Sequence, residues 1–197
     1  MDYAKMRRIA DELSEFAEHL EGRWKVEIGP NGPVLAMMSP TNRHALNARH
    51  IRQQLDAQLP TTHPGWICEN TPDLENPATG RMRQPDLVVC LEEALDSDRD
   101  ALAPHEVLLT IEIVSPSNPD NDYTEKMADY PAMGIPTYLI VDPRKGTIEV
   151  HSMPTPAGYQ NHASYIFGDH VTVGEWIIDT SRFRRYGAIG TTQDGSR

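Results

Sequence analysis

The sequence predicts an α/β protein in which a mixed β-sheet lies between helices. Predicted helices and strands intermix along the 197 residues, as α/β folds require. Two segments, residues 86–91 (DLVVCL) and 107–114 (VLLTIEIV), are almost continuously apolar, which is typical of strands covered on both faces. The length fits one domain of ordinary size with room for a core.

The first part of the chain predicts helix, hairpin, helix and strand. Apolar residues recur at spacings of three and four in the first helix, and a Gly/Pro turn separates the two hairpin strands. The predicted elements are a helix at 2–21, strands at 24–28 and 34–38, a helix at 42–59 and a strand at 66–69. We expect residues 1–21 to form an N-terminal helix that precedes the main domain, residues 22–186.

The rest of the chain predicts the two apolar strands and a second hairpin. The predicted elements are a polar loop at 72–84, strands at 86–91 and 107–114 around an acidic loop with a short helix at 92–104, a helix at 122–133, strands at 137–141 and 147–152, and closing strands within 165–178. Asp122 and Glu125 fit a capping box, and Pro131 predicts that the helix kinks or ends near Tyr130. Residues 187–197 predict a flexible C-terminal tail.

Charge and composition exclude several classes of protein. The formal net charge is 18 − 29 = −11, which excludes binding to nucleic acid by bulk attraction but not an enzyme with a local cationic groove. No apolar run approaches the ~18 residues of a membrane span, and no signal peptide is evident. Cys68 and Cys90 are too few for a disulfide scaffold. We expect a soluble, cytoplasmic protein with reduced cysteines and no membrane partner.

Glu112 is the most informative residue because it interrupts an apolar strand. A buried carboxylate costs several kcal/mol unless a cation or a metal pairs with it. Asp86 opens the other apolar strand, and neighbouring strands lie ~4.8 Å apart. Two such oxygen donors suit Mg²⁺, which binds one or two protein carboxylates and keeps several waters. The alternatives are that Glu112 faces solvent or pairs with a structural arginine, and that Asp86 only ends a loop.

The helix after Glu112 supplies a candidate cation. Asp122, Lys126 and Tyr130 are spaced by four residues and therefore share one helix face. A lysine beside a metal-bound water can orient that nucleophile and stabilise charge on a phosphate. The alternative is a surface ion pair between Asp122 and Lys126, which spacing alone favours. The position of the helix favours the site instead, because it begins just after the carboxylate strand and its first turns return to the end of that strand.

Four motifs, together with Met38-Ser39-Pro40 and His44, carry a resemblance to a known family. They are Pro85-Asp86-Leu87-Val88-Val89, Ile111-Glu112-Ile113-Val114-Ser115-Pro116-Ser117, Asp122…Lys126…Tyr130 and Gly134-Ile135-Pro136-Thr137-Tyr138-Leu139-Ile140-Val141-Asp142-Pro143. From about Gly22 to Phe183 the chain resembles the restriction endonuclease family called Uma-two, of the PD-(D/E)xK nuclease superfamily.

The resemblance implies a restriction-endonuclease-like fold and a metal site. Asp86 and Glu112 would hold Mg²⁺, with Mn²⁺ as a substitute, helped by the main-chain carbonyl of Ile113. The superfamily lysine would stand at Val114, and the family's relocated lysine corresponds to Lys126. His44 matches a family position and could approach the site or the substrate as a supporting residue, although a surface or capping histidine is favoured. Glu27, on the first hairpin, could add a carboxylate, but a solvent-facing strand residue is favoured.

These residues predict a metal-dependent endonuclease that hydrolyses DNA phosphodiester bonds, working as a homodimer. The expected phosphate contacts are arginines that precede the metal strand or lie on the second helix: Arg81, Arg83, Arg43, Arg49 and Arg52. An alternative is an inactive nuclease-fold domain that serves as a binding or assembly module, which Val114, Pro131 and the negative charge motivate. Glycoside hydrolysis by the two carboxylates ranks last, because it gives Lys126 no role.

Overall fold

The computed structural model describes residues 2–38, 41–70, 72–116 and 118–187. The helices are α1 (Tyr3–Ala17), α2 (Asn42–Thr62), α3 (Glu92–Leu95) and α4 (Lys126–Met133). The strands are β1 (Arg23–Gly29), β2 (Gly32–Met38), β3 (Trp66–Glu69), β4 (Asp73–Asn76), β5 (Arg81–Arg83), β6 (Leu87–Leu91), β7 (Ala101–Leu102), β8 (Val107–Ile113), β9 (Thr137–Asp142), β10 (Thr147–Thr155), β11 (Gly158–Ile166), β12 (His170–Val173) and β13 (Trp176–Asp179). Within the described part of the chain, none of the helices combines the length and the apolar character needed to cross a membrane.

A six-stranded mixed sheet in the order β11-β10-β9-β8-β6-β3 forms the centre of the molecule. The β8–β9 pair is parallel and the other pairs are antiparallel. Helix α2 packs Ile51 and Leu55 against one face, and α4 packs Tyr130 and Met133 against the other. The predicted α/β fold with a mixed sheet between helices is therefore confirmed.

A second sheet, in the order β2-β1-β5-β4-β7, lies under α1. Ala10 of α1 packs with Val26, Ile28 and Met82. Strands β4 and β5 fall within residues 72–84, where the sequence predicted a polar loop, so that prediction is wrong. The segment is polar because ion pairs, and not apolar contacts, cover its arginines Arg81 and Arg83. The alternation of apolar and polar residues by which a strand is recognised is therefore absent.

Helix α4 differs from its prediction at its start, and it ends at Met133 as predicted. A wide five-residue turn, Asn121–Glu125, precedes it and contains Asp122, whose carboxylate pairs with Lys126 instead of standing at the N-cap, so the predicted capping box is wrong. The helix continues through Pro131 to Met133 instead of ending near Tyr130. Pro131 is tolerated because it stands in the last turn, where it removes a single helix hydrogen bond. Gly134, with φ +88°, ends the helix, and its N–H donates to the carbonyl of Pro131.

The second hairpin is longer than predicted. Strand β10 extends to Thr155 and pairs with β11, which the sequence analysis did not recognise. Most β11 side chains are exposed, so the strand lacks the apolar pattern by which strands are recognised. Of the predicted C-terminal tail, residues 188–197 lie outside the described residues, as do Ser39, Pro40 and Ser117 of the family motifs.

Arg83 joins the two sheets through α4. Its side chain is 2% exposed, its Nε donates to Asp129 Oδ2 at 2.9 Å, and its Nη1 donates to Glu27 Oε2 at 3.1 Å. Arg81 donates to the other oxygen of Asp129 at 2.6 Å. One helix carboxylate thus neutralises two strand arginines, which fixes β5 against α4.

Asp129→Ala is expected to destabilise the protein by about 3–5 kcal/mol, because it leaves the buried Arg83 guanidinium without its main partner. The measurement is the free energy of unfolding in urea. Arg99→Ala is the matched control, since Arg99 pairs with Glu106 at the surface and should change stability by less than about 1 kcal/mol. Equal effects of the two substitutions would contradict a structural role for the Asp129 network.

Candidate active site

Asp86 and Glu112 lie at neighbouring strand ends. Leu87 of β6 pairs with Ile111 of β8 in an antiparallel register, so Asp86 stands beside Glu112 at the end of the ladder. The N–H of Ile113 donates to Asp86 Oδ2 at 2.7 Å, which holds the aspartate against β8. The two carboxylates predicted to share a site are therefore on paired strands and on the sheet face that α4 covers.

Helix α4 brings Lys126 to these carboxylates. The ammonium is fully buried, and its Nζ lies 2.7 Å from Glu112 Oε1, 3.5 Å from Glu27 Oε1 and 3.5 Å from Asp122 Oδ1. The alternative of a surface Asp122–Lys126 pair is thereby wrong. Among the described residues Nζ has no hydrogen-bond acceptor of good geometry, so attraction to three carboxylates, and not a directed hydrogen bond, holds the ammonium.

Tyr130 lies one turn after Lys126 on the same helix face. Its hydroxyl donates to Glu112 Oε1 at 2.6 Å. Because the tyrosine is fully buried, this bond fixes one oxygen of Glu112 in position. The continuation of α4 through Pro131 leaves this contact intact.

The charges of the cluster are strongly coupled. Burial by itself lowers the pKa of Lys126, but the carboxylates of Glu112 and Glu27 more than reverse this, so the ammonium stays charged. Burial raises the pKa of Glu112 to about 8, because the nearby Lys126 offsets only part of the desolvation. Burial also raises the pKa of Asp122. The raised pKa values of Glu112 and Asp122 show that Lys126 only partly compensates their burial, so a cation bound beside them would favour their ionised forms.

Glu27 belongs to this cluster, and the prediction that it faces solvent is wrong. Its Oε1 accepts from the main-chain N–H of Gln84 at 3.1 Å and contacts Lys25 Nζ at 3.2 Å. Burial would raise the pKa of Glu27, but Lys126, Lys25 and Arg83 lower it well below its usual range. The alternating strand pattern could not reveal this burial, because both faces of β1 are covered at this point.

His44 also lies in the site. Its Nε2 is 3.2 Å from Asp86 Oδ1, and Thr41, not His44, caps α2 by accepting from the N–H of His44. Burial would lower the pKa of His44, but Asp86 raises it, and the same contact lowers the pKa of Asp86. The interpretation as a surface or capping histidine is therefore wrong.

A small cavity connects these side chains to a wide groove. Asp86, Glu112, Asp122 and His44 line a cavity of about 90 Å³, which is roughly three water volumes. Asp86 and His44 also line a groove of about 980 Å³ that contains Arg23 and Arg49. A ligand in the groove would consequently reach the carboxylates from the side of α2.

The donor set fits a hard divalent cation. Asp86 and Glu112 offer carboxylate oxygens, Ile113 lines the same cavity, and Mg²⁺ needs only one or two protein carboxylates when waters fill the other positions. Within the described residues, Asp86, Glu112 and Asp122 do not bring three ligand atoms within 4.8 Å of one another. The residues therefore suit an ion that keeps several waters, and not a closed protein cage.

The predicted phosphate-binding arginines divide into two groups. Arg81 and Arg83 are held by Asp129, and the near-complete burial of Arg83 makes it unsuitable for contacting a phosphate. Arg52 forms two hydrogen bonds with Glu69. The exposed residues are Arg49, in the groove, and Arg43, whose Nη1 donates to the carbonyl of Arg185 at 2.7 Å. Arg23 also lines the groove, and the sequence did not predict it as a phosphate contact.

This fold and acid–lysine cluster agree with a restriction-endonuclease-like protein. The Uma2 family model, described as "Putative restriction endonuclease", matches residues 11–177, and the chain belongs to this family. The structure is similar to the solved structure of a "putative nuclease belonging to DUF820" from Anabaena variabilis, with a TM-score of 0.62 and 16% identity over 86% of this chain and 94% of that one. That likeness supports the fold alone. A comparison with curated proteins finds no match.

Lys126→Met is expected to destabilise the metal-free protein more strongly as the pH rises. Without the ammonium, the folded-state pKa of Glu112 rises further above its unfolded value, so the variant goes on losing stability at pH values where folded wild-type Glu112 has already ionised. In EDTA the difference in the free energy of unfolding between the two proteins should be nearly constant from pH 5 to about pH 8 and should then grow by about 1.4 kcal/mol per pH unit. Lys145→Met, at an exposed lysine, is the control. A pH-independent difference would contradict this coupling.

Proposed function

We propose that the protein is a metal-dependent endonuclease that hydrolyses DNA phosphodiester bonds. The observation that carries the proposal is the buried Lys126 ammonium 2.7 Å from Glu112, with Asp86 at the adjoining strand end. A buried lysine held between acids is suited to orienting a nucleophile and stabilising negative charge beside a cation site. Family membership supports a nuclease function, and the metal and the DNA substrate are our proposal.

Asp86, Glu112 and the carbonyl of Ile113 would hold Mg²⁺, or Mn²⁺ in its place. When bound, the ion supplies a Lewis acid and lowers the pKa of a coordinated water. Lys126 would hold Glu112 beside the ion and stabilise negative charge on the phosphate electrostatically, because its fully buried ammonium lies 2.7 Å from Glu112 Oε1. Tyr130 keeps Glu112 in place, and His44 contacts Asp86 Oδ1, the oxygen that the N–H of Ile113 does not hold. Glu27 contributes by keeping Lys126 charged.

The groove beside Asp86 supports a nucleic acid substrate. Arg49 and Arg23 line it and supply positive charge on a chain whose overall charge is −11. Phosphate contacts of this kind position a backbone without reading its sequence. We therefore propose that DNA lies along α2, with the scissile phosphate at the cavity. The homodimer stays a prediction.

The alternative, an inactive binding module, has less support in the geometry. The superfamily position for the lysine holds Val114, whose side chain is fully buried. The ammonium group next to Glu112 comes from Lys126 of helix α4 instead. Pro131 does not displace Tyr130 from Glu112. Val114 and Pro131, the two residues that motivated this alternative, thus leave the acid–lysine cluster assembled.

Wild-type protein is expected to nick supercoiled plasmid DNA with Mg²⁺ or Mn²⁺ and to lose this activity in EDTA. Glu112→Gln and Asp86→Asn should each lower the cleavage rate by at least ~100-fold, because each removes a charged metal ligand while keeping its shape. Glu175→Gln, at an exposed glutamate on the far hairpin, should leave the rate unchanged. Mn²⁺ titration of the same variants separates loss of metal from loss of chemistry.

Cleavage that persists in EDTA or in Glu112→Gln would refute the proposed mechanism. Absence of both cleavage and Mn²⁺ binding in the wild type would favour the binding-module alternative.

Arg49→Ala is expected to weaken DNA binding several-fold and to reduce the slope of log affinity against log salt by about 1, the amount expected for one phosphate contact. Fluorescence anisotropy with a labelled duplex, in Ca²⁺ to prevent cleavage, measures both quantities. Arg99→Ala removes an arginine of similar exposure away from the groove and should change neither. An unchanged salt slope in Arg49→Ala would place the DNA elsewhere.

A further inference from the structure

Three metal-ligating side chains gather on the β10–β11 hairpin. His151 and His162 are directly paired across the two strands, and Glu149 lies two residues before His151 on the same face. Glu149 Oε2 is 3.2 Å from His151 Nε2 and 3.4 Å from His162 Nε2. Among the described residues, this is the one group in which three such ligand atoms lie within 4.8 Å of one another.

We propose that Glu149, His151 and His162 bind a divalent transition metal, for which Zn²⁺ is the best match. Zn²⁺ binds imidazole nitrogen and carboxylate oxygen at ~2.0–2.2 Å, so adjacent ligand atoms of a tetrahedral site lie roughly 3.3–3.5 Å apart. The two separations from Glu149 agree with this spacing. Two imidazoles and one carboxylate are also borderline ligands that favour Zn²⁺ over Mg²⁺.

The surroundings hold His151 in place and leave His162 free to turn. The two imidazoles stack nearly in parallel with ring centroids 4.5 Å apart, and because imidazole binds a metal in its ring plane, His162 has to rotate to share an ion with His151. His151 packs near the rings of Tyr138 and Tyr159. The side chain of His162 is 50% exposed, so an ion can enter from solvent and keep a water as its fourth ligand. Ser164 Oγ, 3.2 Å from His162 Nε2, would turn away from that nitrogen.

This site is separate from the candidate active site, although both lie on the same sheet face. Glu112 pairs with Ile140, and Ile140 pairs with Glu149, so two strand spacings, roughly 10 Å, separate the two glutamates. The ions of two-metal nucleases lie ~3.5–4 Å apart. The hairpin ion therefore does not take part in the chemistry at Glu112. It joins β10 to the exposed edge strand β11 and stabilises the hairpin.

The test is a calorimetric Zn²⁺ titration of the full chain after EDTA treatment, with Mg²⁺ present in excess to occupy any hard-cation site. One Zn²⁺ is expected per chain, and His162→Ala and Glu149→Gln should each weaken its binding by at least ~10-fold. Co²⁺ in place of Zn²⁺ should give the visible absorption of a tetrahedral ion. Both substitutions lie at accessible positions of the hairpin, and circular dichroism checks that each variant is folded.

The controls separate this site from the others. His170→Ala removes an exposed histidine on β12, and Glu112→Gln alters the candidate active site, so neither should change Zn²⁺ affinity. Failure of the wild type to bind Zn²⁺ would overturn the proposal and leave the cluster as a histidine–glutamate ion pair. Binding that survives His162→Ala, or that is lost in Glu112→Gln, would overturn it as well.

Discussion

The buried ammonium of Lys126 is the interaction on which the rest of the site depends. An isolated charge with no exposure would be too costly to keep, and it persists because Glu112, Glu27 and Asp122 surround it. The lysine in turn allows those acids to be buried next to one another. Each partner therefore stabilises the burial of the others, and the cluster forms only when helix α4, strand β8 and strand β1 are all in place.

Two cationic networks share one acid and so tie the sheets together. Glu27 on β1 contacts both Lys126 and Arg83. Arg83 also pairs with Asp129, which lies on the same helix as Lys126. A displacement of α4 would disturb both networks at once. This coupling explains how a short helix of eight residues can position a lysine and a tyrosine on one carboxylate.

Sequence reasoning was accurate where residue type and spacing carry the information. The two apolar strands, the four-residue spacing of Asp122, Lys126 and Tyr130, and the anomalous Glu112 in an apolar run indicated the sheet and the acid–lysine cluster. It was wrong at β5, where Arg81 and Arg83 looked like a polar loop ready for phosphate. A salt bridge to Asp129, 46 residues away from Arg83, covers them instead. It also missed β11, whose exposed side chains follow no apolar pattern.

The sequence by itself determined the mixed α/β sheet, the family and the pair of strand-end acids, because these follow from local periodicity and from motifs that are contiguous in the chain. Tertiary structure alone decided that Glu27 and His44 join the site, that Arg83 is buried, and that Glu149, His151 and His162 converge. The physical reason is that a carboxylate or an imidazole has no intrinsic preference for core or surface. Whether it is buried depends on which partner the fold brings within hydrogen-bonding distance, and most of those partners are remote in sequence.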